Sequence, residues 1–309
     1  MRSDLLNARG VNVIAVTPFE QDGSLDTASA ERMVDFYGEK GADGLTILGM
    51  MGEAPKLTVE ESKTFARAVI SRASEMPVIV GVSAPGLAAM KELASATMQM
   101  GAAGVMVAPP SSLKTDDQIV SYYQMIGEEL GSSTPIVVQD FPLVTGVVIS
   151  VAVLGRIIES VPSVVMLKHE DWPGLAKISA LRTAEKNGRR RISILTGNGG
   201  LFLPEEMTRG ADGAMTGFAY PEMMRDVVSL LAQGAIDKAS DCFDAYLPYA
   251  RYEQQPGLGL AARKYVLAKR GAIKFDVLRR PGPTLSSQDI ADIDRLLARQ
   301  ERRLKELSE

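Results

Sequence analysis

The sequence predicts an α/β protein: a (β/α)8 TIM barrel with a C-terminal helical extension. Three observations carry that reading. Eight short, nearly continuously apolar runs alternate with amphipathic segments of helical period, the pattern of parallel strands covered on both faces. A junction of two glycines three residues apart recurs before the second, fourth and eighth runs, at Gly41 to Gly44, Gly101 to Gly104 and Gly210 to Gly213. Its first glycine suits the left-handed residue that closes a helix, and its second a tight entry into a strand. No G-x-G-x-x-G follows the first run, where a doubly wound dinucleotide fold would place it.

The elements follow in order. VNVIAVT (11–17) is the first strand, and residues 28–40 form the helix that leads to LTIL (45–48). Residues 59–75 precede VIVGV (78–82), 87–100 precede VMVA (105–108), and 116–130 precede PIVVQD (135–140). Residues 151–160 lead to VVMLK (164–168), 175–186 to ISILTG (192–197), and the third glycine junction to AMTG (214–217). Eight strands with a helix each is the count of a closed barrel. Helices are expected over 221–235, 236–251, 257–270 and 287–308, giving a barrel over 1–235 and an extension over 236–309. The charged stretch ARQERRLKEL near the end reads as a solvated helix face.

Charge and composition narrow the partners. Thirty-four basic against 38 acidic side chains give a net charge of −4, which argues against nucleic acid, since binding phosphates needs a basic face. One cysteine, Cys242, and one histidine, His169, leave no disulfide framework and no Cys/His metal cluster, so neither a metal nor a cofactor is expected. No signal sequence and no apolar stretch of membrane length is visible, so no membrane association and a cytoplasmic location are expected.

In such a barrel the active site lies at the C-terminal ends of the strands. Lys168 ends the sixth apolar run. Burial there would depress its pKa and free an amine for attack on a carbonyl, whereas a place just past the strand would leave it in a salt bridge with Glu170 or Asp171. GMMGE (49–53) can offer successive backbone amides to a carboxylate or be a tight turn with Glu53 bonded structurally. GNGG (197–200) is the rival signal, a glycine turn of the kind that holds phosphate. His169 should point away from Lys168 by strand alternation. Met50 and Met51 as lining would favour an apolar substrate portion.

With these residues in place, the chain resembles the dihydrodipicolinate synthase and N-acetylneuraminate lyase family of class I pyruvate-dependent aldolases. The resemblance rests on VTPF (16–19), the G-x-x-G-E turn, QDFPLVTG (139–146), the strand-6 lysine and GADGAMTG (210–217). It implies that Lys168 is the Schiff-base lysine, that the Gly49 to Gly52 turn holds the keto-acid carboxylate, and that the protein is a homotetramer built as a dimer of dimers.

Departures fall on the catalytic positions. The family's strand-5 tyrosine corresponds to Gln139, which cannot transfer protons at neutral pH. The hydroxyl residues of the strand-2 turn correspond to Met50 and Met51, and the tyrosine lent by a neighbouring subunit to Ser111. The arginine that binds a second carboxylate corresponds to Val144. An acid/base is therefore sought elsewhere, first at Asp140, then at His169, Tyr220 and Thr145. The expected catalytic set is Lys168, Gln139 and Asp140, with Gly49, Met50, Met51, Gly52, Thr145, Gly197, Asn198, Met215 and Gly217 around the substrate. Three functions follow from these residues: a Schiff-base lyase or hydro-lyase on a 2-keto acid, a non-catalytic keto-acid sensor, or a phosphate-ligand barrel.

Overall fold

A computed structural model describes residues 4–172 and 174–309. Eight parallel strands close on themselves in sequence order: β1 (Gly10–Ile14), β2 (Gly44–Ile47), β3 (Val78–Gly81), β4 (Gly104–Val107), β5 (Ile136–Asp140), β6 (Val164–His169), β7 (Ser193–Thr196) and β8 (Gly213–Ala214). Every strand overlaps one of the eight expected runs, with β1, β2, β4 and β8 beginning at the glycine before it. The helices α1 (Thr27–Glu39), α2 (Val59–Ala73), α3 (Leu87–Met100) and α4 (Asp116–Leu130) cover the first half of the barrel. A short turn of helix, α5 (Pro142–Thr145), then precedes α6 (Val151–Ser160), α7 (Leu175–Lys186), α8 (Leu203–Thr208) and α9 (Pro221–Ala232). Three further helices complete the described chain: α10 (Ile236–Glu253), α11 (Gly259–Lys269) and α12 (Ser287–Ser308). The charged stretch at the end of α12 is exposed apart from Gln300, which is buried, and the partly buried Leu304. Among the described residues no helix is long and apolar enough to cross a membrane.

Two apolar clusters divide the strand residues by the two-residue period of a strand. Ile14, Ile79, Met106, Val137, Met166, Leu195 and Met215 fill the barrel interior, with Leu5 closing its lower end. Val13, Val80, Val105, Val138, Leu167 and Ile194 face outward into the helices. Full burial of each such side chain contributes roughly 1.5–3 kcal/mol, which explains why runs apolar on both faces are selected here. Both strand ends of the chemistry are set by register: Gln139 of β5 lies beside Lys168 of β6, and Asp140 beside His169. Gln139 and Lys168 therefore share the inward face.

Backbone strain gathers at the mouth. Leu48, just after β2, and Glu53 both have positive φ and flank the 49–52 turn, and Asn198 adopts the same region after β7. Gly81 allows the Leu48 backbone to approach, since a Cβ at 81 would overlap the Leu48 carbonyl.

Candidate active site

Lys168 rises from β6 into the barrel mouth and is 4% exposed. Its Nζ lies 2.9 Å from Oε2 of Glu170, and the same oxygen accepts a hydrogen bond of 2.7 Å from Gln139 Nε2. Glu170 and Gln139 are 6% and 2% exposed, so amine, carboxylate and carboxamide meet in a nearly water-free cluster. The two expectations for Lys168 thus coincide: it is inside the strand and it is paired with Glu170. The Glu170 backbone is fixed from both sides, its N–H donating to the Asp140 carbonyl and its own carbonyl accepting from Asn198 Nδ2.

The strand-2 turn, Met50–Gly52, which lines one cavity together with Gln139, is a single turn of 3-10 helix. Its closing bonds use the amides of Gly52 and Glu53, leaving those of Met50 and Met51 outside the turn's own hydrogen bonding. The Thr17 hydroxyl donates to the Gly52 carbonyl, which ties the VTPF motif to the turn. Glu53 is structural: Oε1 accepts from Lys264 Nζ at 2.6 Å, and Oε2 accepts from Lys56 Nζ at 2.9 Å and from the Arg279 amide at 3.0 Å. Burial pulls the Lys264 ammonium down to about 8 against the opposing effect of Glu53.

Small-ligand pockets commonly measure about 300–1,000 Å³, and the cavity at this mouth measures 540 Å³. It runs from Gly49, Met106 and Gln139 outward between α2 and α3, past Met50, Leu57 and Leu93. Its walls are predominantly apolar.

Several expected site residues lie elsewhere. Asp140 faces outward, where its carboxylate pairs with Lys177 of α7 at 2.7 Å; burial raises it to about 6 even so. His169 faces the same way and burial lowers it to about 4. Strand alternation separates both from Lys168, so neither joins the amine cluster. The Thr145 hydroxyl is spent locally, donating to the Phe141 carbonyl and accepting from the Val147 amide. Tyr220 packs among Phe218, Tyr246 and Tyr249, with the Arg270 guanidinium 4.1 Å from its ring centre. Met215 belongs to the interior packing, and Gly217 makes room for the buried Arg263, which pairs with Glu253 at 2.6 Å.

The 197–200 turn does not present the donors a phosphate would need. Gly199 N–H donates to the Thr216 hydroxyl, Gly200 N–H to the Gly197 carbonyl, and Leu201 N–H to the Asn198 carbonyl. Gly197 instead lies against Glu170, and Asn198 braces it.

A closed barrel with a buried lysine at the mouth end of its sixth strand defines a class, the lysine-dependent lyase barrel. The chain belongs to the dihydrodipicolinate synthetase family, whose model matches residues 7–300. It is 30% identical over 291 residues to L-2-keto-3-deoxyarabonate dehydratase of Azospirillum brasilense, covering 92% of each chain. It is 29% identical over 282 residues to 4-hydroxy-tetrahydrodipicolinate synthase of Bifidobacterium longum, covering 90% of each. Among solved structures it is similar to a dihydrodipicolinate synthase from Rhodopseudomonas palustris, with 52% identity, a TM-score of 0.94 and coverage of 95% of this chain and 98% of that one.

Proposed function

We propose that this protein is a Schiff-base lyase acting on a 2-keto acid of pyruvate type through Lys168. The observation that carries the reading is the buried Lys168 amine at the mouth of the barrel, beside a Gln139 that lines one cavity with a turn having two uncommitted amides. The turn from Gly49 to Gly52 would hold the carboxylate, and Lys168 would attack the adjacent carbonyl. The resulting iminium ion draws electrons from the neighbouring carbon and stabilises an enamine, which permits aldol cleavage or condensation, or loss of water. Similarity to a keto-deoxy-sugar-acid dehydratase supports the third of these outcomes.

The apolar cavity beside Gln139 supports a substrate whose far end is less polar than a second carboxylate. Val144, at the position of the family's carboxylate-binding arginine, is 58% exposed and offers no charge. A cytoplasmic homotetramer is the assembly we take from the family, and light scattering on the purified protein tests its stoichiometry.

Pyruvate and borohydride test the central reading. A reduced pyruvyl adduct, located on Lys168 by intact mass and peptide mapping, is the expected product. No adduct with pyruvate or with a panel of 2-keto acids would overturn it and leave the barrel without its chemistry.

A further inference from the structure

The lysine needs a proton acceptor and donor, and glutamine at the tyrosine position supplies neither. We propose that Glu170 is the acid/base of the reaction, acting directly on the Lys168 adduct; this rests on the imine reading of Lys168. Three independent features of the fold put it there. Glu170 stands two residues beyond Lys168, so strand alternation sends both side chains to the mouth. Its Oε2 is 2.9 Å from the amine that becomes the imine nitrogen, and among the described residues no other carboxylate pairs with that amine. Its backbone is bonded to β5 on one side and to Asn198 on the other, and Gly197 leaves the space its side chain occupies.

Gln139 completes the device. Its Nε2–H donates to Glu170 at 2.7 Å, holding the carboxylate beside the amine without competing for the proton. A residue that cannot transfer protons thus aims the one that can.

The steps balance with Glu170 as the only shuttle. The Lys168 ammonium gives a proton to Glu170, and the freed amine forms a bond to C2 of the keto acid as the carbonyl π pair moves to oxygen. The extra proton on nitrogen passes to that oxygen, giving a carbinolamine. Glu170 returns its proton to the hydroxyl, which leaves as water, and an iminium ion remains opposite the carboxylate. Glu170 then takes a proton from C3. The C3–H pair becomes the C2–C3 double bond, and the iminium π pair returns to nitrogen. In a substrate with a hydroxyl on C4, the nitrogen pair re-forms the iminium, the C2–C3 π pair becomes the C3–C4 double bond and the C4–O pair leaves with the hydroxyl. The proton held by Glu170 completes the departing water. Water then hydrolyses the iminium and frees Lys168.

Deuterium exchange at C3 of pyruvate isolates the proton-transfer step from any unknown co-substrate. The wild-type protein in D2O should exchange the methyl protons, followed by proton NMR. Glu170→Gln should lower that exchange by at least about 100-fold, the smaller end of what general acid/base groups contribute. It should still yield the borohydride adduct on Lys168 after long incubation. Glu170→Asp, which keeps the carboxylate and withdraws it by one methylene, should restore part of the exchange with little change in pyruvate KM. A smaller loss in Glu170→Gln overturns the proposal. So does a folded Glu170→Gln protein that never forms the adduct, because Glu170 would then serve to place the lysine. If Glu170→Gln does not fold, Glu170→Asp decides: a lowered rate at unchanged KM supports the assignment, and a wild-type rate overturns it. Absence of an adduct in the wild type is a distinct failure, that of the imine reading itself.

Discussion

Gly197 and Glu170 share one space: the α-carbon of Gly197 lies where any Cβ would overlap the Glu170 side chain. A methyl group at 197 must therefore push the carboxylate away from Lys168, or push the β7 turn outward. Gly197→Ala should lower kcat by at least about tenfold, since small displacements of reacting groups are costly. Its far-ultraviolet circular dichroism should remain that of the wild type. Steady-state kinetics with a turned-over keto acid would check this.

Lys168→Ala removes the only nucleophile in the cluster. Turnover of a competent 2-keto acid should vanish, and pyruvate with borohydride should leave the mass unchanged. Retained turnover in this variant would contradict the covalent mechanism outright.

Gln139→Leu keeps the volume near β5 but deletes the amide that donates to Glu170. A buried carboxylate that loses a hydrogen-bond donor is destabilised by about 1–3 kcal/mol. The variant should show a lower melting temperature and a reduced kcat. The decisive comparison is with Gln139→Asn, whose shorter amide should recover little of either.

The cavity wall gives a specificity prediction. Keto acids with an apolar far end should have kcat/KM at least about tenfold above those ending in a carboxylate, a difference of a size that pocket contacts can supply. Met50→Lys should narrow that ratio by placing a cation beside the apolar walls. Equal ratios in both proteins would show that the tail lies outside this cavity.

Glu206 of α8 supplies a pH prediction. It is 3% exposed, and burial raises its carboxyl from 4.5 to about 7. Between those values the folded chain binds more protons at this site than the unfolded chain. Its contribution to stability is complete below about pH 4.5 and is lost as pH rises through about 7. Glu206→Gln should therefore be more stable than wild type at pH 8, by about 1–3 kcal/mol, and nearly equal to it at pH 4.5. Urea denaturation at the two pH values checks both the sign and the window.

The barrel was legible because a strand buried on both faces has little choice but to be apolar throughout. The runs around Val13, Val80 and Leu167 are examples. Lys168 stood out for the same reason, as a charge ending an apolar run. Glu170 was visible only as a salt-bridge partner, although a two-residue step from Lys168 already put both on one face. The same period sends Asp140 outward, and the contact with Lys177 that holds it there comes from a helix 37 residues downstream. Gly217 could not have been read from local pattern. The side chain it accommodates, Arg263, pairs with Glu253 across two C-terminal helices, where isolated charges ordinarily read as surface.

Lys264 reaches across 211 positions of sequence to hold Glu53, and its ammonium also donates to the carbonyls of Thr17 and Val277. The turn from Gly49 to Gly52 is therefore braced, through Glu53, by a helix that follows all eight strands in sequence. A barrel lacking α11 would have its lysine but not the cation that steadies the turn. The arrival of α11 therefore supplies the cation that completes the bracing of the Gly49 to Gly52 turn from the far end of the sequence.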